Sequence, residues 1–90
     1  MAGEPDPPML SHSMAVVVQM SSDAAESVAS TFERVAATYR RMADGPRGPH
    51  ASARLLAHAA HLEERAEVER AAAARLRRML EREALFPPKA

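Results

Sequence analysis

Ala25-Glu26-Ser27-Val28-Ala29-Ser30-Thr31-Phe32-Glu33-Arg34-Val35-Ala36-Ala37-Thr38-Tyr39-Arg40-Arg41-Met42 sets the architecture of this chain. Its larger apolar side chains, Val28, Phe32, Val35, Tyr39 and Met42, follow Ala25 at alternating steps of three and four. Residues so spaced lie on one stripe of an α-helix and are expected to pack against another helix. Phe32, at the centre, is expected to be among the most buried residues. Alanines at 29, 36 and 43 widen the stripe on one side and let a neighbour come close.

Working outward, Asp23-Ala24-Ala25-Glu26 fits a capping box, in which Asp23 caps first-turn N–H groups and Glu26 reaches back to Asp23. Arg40 and Arg41 suit the negative end of the helix dipole. Asp44-Gly45-Pro46 reads as a stop, with Gly45 in a left-handed conformation and Pro46 unable to continue. Helix 1 is therefore expected over about 23–44. Pro49 suits the first position of a second helix, with Ser52 an alternative cap. No Gly or Pro then intervenes before Pro87, and Ala, Glu, Arg and Leu dominate, so helix 2 is expected over about 49–86. Its apolar face, Leu55, Ala59, Leu62, Ala66, Ala73, Leu76 and Leu80, is weaker and is interrupted by Glu69.

The short connection makes the helices antiparallel. At 1.5 Å per residue helix 1 is roughly 33 Å long and helix 2 roughly 55 Å. The end of helix 2 is thus expected to overhang, leaving Leu76, Met79, Leu80, Leu85 and Phe86 as an interface. Two things could cover it. One is residues 9–20, whose Val16-Val17-Val18 favours an extended form or a frayed extension of helix 1, with Ser21-Ser22 breaking the stripe. The other is a second copy of the chain. Met14 or Met20 could also serve as the start of translation. The expected organisation is a disordered tail with a short apolar segment over 1–20, a helical hairpin over 21–86 and a disordered end over 87–90.

Ninety residues make one small domain, whose single core supplies only a few kcal/mol. Disulfides cannot staple it, because the chain has no cysteine, and a structural zinc site would lack thiolates. Oligomerisation is the remaining common remedy, and a homodimer forming a helical bundle is expected. Twelve basic and twelve acidic side chains cancel, so the whole chain has no bias toward nucleic acid or membrane. No basic-then-apolar leader and no apolar run of bilayer length is present, and a cytoplasmic protein is the expectation.

Charge divides helix 2. Glu63, Glu64, Glu67 and Glu69 precede Ala71-Ala72-Ala73-Ala74, and Arg70, Arg75, Arg77 and Arg78 surround or follow it. An antiparallel pair of these helices crossing at the alanine run would match acid to base. The plain alternative is a solvated helix. His58, His61 and Glu64 sit three apart and could face one cation, yet helix 1 offers no acids on its apolar stripe, so surface histidines are the better reading and no metal is expected. Arg40, Arg41, Arg47 and Arg54 gather at the loop end opposed by Asp44, as an anion or a nucleic-acid phosphate would require. Dipole compensation and solubility are the plainer explanation. With two Phe, one Tyr and no Trp the chain has no stacking platform.

Ser11, His12, Ser13 and Asp23 have no pocket in which to form a hydrolytic site, and Gly45 and Gly48 are punctuation rather than a phosphate loop. Neither catalytic residues nor a cofactor are expected. The function expected is that of a small helical interaction, adaptor or regulatory protein, with an anion- or nucleic-acid-binding accessory role through the loop-end arginines as the alternative.

Overall fold

The computed structural model describes residues 11–85. Residues 1–10 of the expected tail, the expected end over 87–90 and Phe86 lie outside the described residues. Two α-helices, α1 over His12–Ala43 and α2 over Pro49–Leu85, form an antiparallel hairpin, with no strand among the described residues.

Helix α1 begins eleven residues before the expected position. Ser11, in extended conformation, is its cap, and its hydroxyl accepts from the Met14 N–H at 3.1 Å. Asp23 and Glu26 therefore lie inside the helix rather than forming a capping box, and 12–20 belongs to the hairpin rather than to a tail. Serine costs a helix interior only about 0.5 kcal/mol relative to alanine, so Ser21-Ser22 does not break it. Ser22 is also fully buried, and its hydroxyl donates across the hairpin to the Ala73 carbonyl at 3.5 Å.

At the other end, no described glycine has a positive φ. The free carbonyls of α1 are met in other ways. The Asp44 N–H donates to Arg40, the Gly45 N–H and the Arg47 Nε both donate to Met42, and the Ser52 hydroxyl donates to Ala43 at 3.0 Å. A Cβ on Gly45 would stand 3.2 Å from the Met42 carbonyl, so close approach explains that glycine. Pro49 opens α2 as expected. Ser52 does not cap α2 but ties its first turn to the end of α1.

Two seams of small residues hold the helices together. Ser22, Ala29 and Ala36 are buried on α1, and Ala59, Ala66 and Ala73 on α2, each at steps of seven. The Ser22–Ala73 and Ala43–Ser52 bonds set the register, which brings Ala29 level with Ala66 and Ala36 level with Ala59. Methyl groups facing methyl groups let two backbones approach toward the lower end of the usual 8–10 Å separation. Val18 is the one larger apolar side chain that is buried, at 9% exposure, among the described residues.

The expected core stripe is thus displaced. Ala25, Phe32 and Tyr39 flank the seam half-buried, while Val28, Val35 and Met42 turn further out and are exposed. Phe32 is not among the most buried residues. The overhang is filled as well. With Ser22 level with Ala73, one more step of seven brings Ala15 level with Leu80, so the chain's own 12–22 runs beside the end of α2.

Candidate functional site

The two long edges of the hairpin differ in chemistry. On one, side chains four positions beyond each seam residue form a ladder of cross-helix ion pairs. Arg40 binds Glu63 through two nitrogens, with Nε to Oε2 at 3.2 Å. Glu26 is held by Arg70 at 2.9 Å and by Arg77 at 3.1 Å, and Arg70 also donates to Glu33. The hydrogen bond from Arg40, then its charge, holds the Glu63 carboxyl below the usual carboxylate range. The same pairing raises Arg40, and the hydrogen bond to Glu33 raises Arg70. All these groups are substantially exposed, so the ladder fixes register and orientation more than it stabilises.

The opposite edge is built from rings and aliphatic chains. Tyr39 stacks on His58 with centroids 5.6 Å apart and planes at 27°. The Arg65 guanidinium lies over Phe32, also 5.6 Å from the ring centre. Beyond them α1 presents Met14 (53% exposed), Val17 (60%), Val28 (41%) and Val35 (39%). No charged residue occupies this side of α1, where Ser21, Ala24, Thr31 and Thr38 complete the surface. Toward the start of α1 an open apolar hollow of about 190 Å³ is lined by Ser13, Met14, Val17 and Val18. No helix among the described residues is long and apolar enough to cross a membrane.

The four arginines read as an anion site are separated by the fold. Arg40 is turned to the ion-pair ladder, and Arg41 donates to Thr38 on its own helix. Arg47 and Arg54 do meet, with Tyr39, Ala51, Leu55 and His58, around an open groove of about 370 Å³ beside the loop. Of the interface residues read from the sequence, Met79 is 44% exposed, while Leu76 and Leu80 are half-buried near the start of α1. Leu85 closes α2. His58 is committed to Tyr39, and among the described residues no three His, Asp or Glu side chains converge as a metal would need.

The stripe of Met14, Val17, Val28 and Val35 escaped a reading that took the largest residues for the core. Its signal was present: besides the seam, three of every seven positions of α1 carry no charged residue from end to end. Fold and site together define a two-helix hairpin with one edge of cross-helix ion pairs and one to which α1 contributes no charged residue. No protein family, curated protein or solved structure matches the chain.

Proposed function

We propose that this is a small non-enzymatic helical interaction or adaptor protein that works by helix–helix association, beginning with a second copy of itself. The observation that carries this reading is an inversion of size. The hairpin's own seam buries alanine, serine and one valine, while Met14, Val16, Val17, Met20, Val28, Val35 and Met42 stay exposed on one helix. A domain this small gains little from burying methyl groups, and burial of its larger side chains by a partner is the available source of stability. Sedimentation across the micromolar range tests it, together with a thermal midpoint that rises with protein concentration. A monomer whose midpoint is independent of concentration refutes self-association.

The groove at the loop end supports a second reading, phosphate binding by Arg47 and Arg54. Polyanion binding that falls steeply with salt is the outcome that would favour it.

A further inference from the structure

We infer that two copies pair through α1, antiparallel and about a two-fold axis at Val28. This deepens the proposed association by naming its surface. The stripe one position before the seam reads Met14, Ser21, Val28, Val35, Met42, at steps of seven. Turned end for end about Val28 it maps onto itself. Met14 meets Met42 of the second copy, Ser21 meets Val35, and Val28 meets Val28. An isologous contact requires this kind of self-complementarity. In an antiparallel pair like flanks meet, so Phe32 lies across from Ala25 of the second copy and Tyr39 from Val18, a small or branched residue opposite each ring.

Three further observations favour a second copy as the occupant. First, no residue of this stripe is charged, and the guanidiniums at its flanks, Arg34 on Thr31, Arg41 on Thr38 and Arg65 over Phe32, lie beside the stripe rather than on it, so its centre meets its copy without repulsion. Secondly, the threonines on it are already satisfied. Thr31 donates to the Ser27 carbonyl and Thr38 to the Arg34 carbonyl, each at 3.1 Å, so covering them strands no hydroxyl. Thirdly, the apolar hollow lined by Ser13, Met14, Val17 and Val18 sits where the pairing delivers Met42 of the second copy. From residue 14 to residue 42 the contact runs roughly 42 Å, with a footprint of roughly 500 Å² per copy at helix width. The ring flanks of Phe32 and Tyr39 carry it toward the roughly 800 Å² per partner of a stable dimer.

The absence of native cysteine makes the test clean. Full-length chain carrying V28C should give a covalent dimer in high yield under mild copper-phenanthroline oxidation. M14C and M42C should each react poorly alone and cross-link when mixed. A60C, on an exposed position of α2 away from this edge, should stay monomeric on denaturing gels. V28D should weaken the dimer at least tenfold in sedimentation while leaving helicity by circular dichroism intact, since Val28 is exposed in the hairpin. A dimer by sedimentation that cross-links at A60C, or ignores V28D, overturns this pairing and leaves self-association standing. A monomer at 100 µM overturns both. A monomer that binds phosphatidylcholine vesicles, with loss of binding in V28D, overturns the pairing in favour of a lipid surface.

Discussion

Replacing Ala66 by leucine tests the seam directly. Ala66 is 2% exposed and lies level with Ala29, which is fully buried. Leucine adds three carbons where two backbones approach across methyl groups, and no rotamer can leave the interface. The helices must part toward the 10 Å end of the usual separation, which also strains the neighbouring Ala36–Ala59 and Ser22–Ala73 levels. Overpacking of this kind costs about 1–3 kcal/mol, and disturbing several levels at once places this site at the upper end. At 0.05–0.15 kcal/mol per residue a hairpin of this size holds only roughly 4–11 kcal/mol, so the loss is a large share. Leucine is nearly as good a helix former as alanine, so local propensity contributes little. Ala60→Leu, the same change at an exposed position, is the control and should stay within about 0.5 kcal/mol. Urea unfolding followed at 222 nm reads both. Equal midpoints for the two variants, or a stabilised Ala66→Leu, would refute the claim that close backbone approach holds the hairpin.

Phe32→Ala should cost about 1–2 kcal/mol by the same assay, less than a fully buried phenylalanine would, because Phe32 is only partly buried in the hairpin. Deleting residues 1–20 removes the first nine residues of α1 and should lower helicity and thermal midpoint by uncovering the end of α2; unchanged helicity per residue would show that 12–20 does not pack there. The depressed Glu63 carboxyl makes a contribution that is complete above the ordinary carboxylate range and is lost as pH falls through its lower folded value. The midpoint difference between wild type and Glu63→Gln should therefore be present at neutral pH, shrink with salt and vanish in acid.

Read alone, the chain determined two helices, their antiparallel order and the place of the turn. Asp44-Gly45-Pro46 and Pro49 stop and start a helix through strictly local sterics, and propensity over 49–85 is unbroken. The cap at Ser11 was not legible against Asp23, because both residues offer an oxygen and only packing along α2 rewards the longer helix. The choice of core was decided by tertiary structure. A hydrophobic pattern weights large side chains and pointed to Phe32, whereas the helices meet on Ser22, Ala29 and Ala36 against Ala59, Ala66 and Ala73. The value of a methyl group depends on how close a second backbone comes, and that distance is a property of two helices together. The same shift of face turned Val28 and Val35 outward and parted Arg40 from Arg47 and Arg54, because rotation of a helix about its axis is fixed by its partner and not by its own sequence.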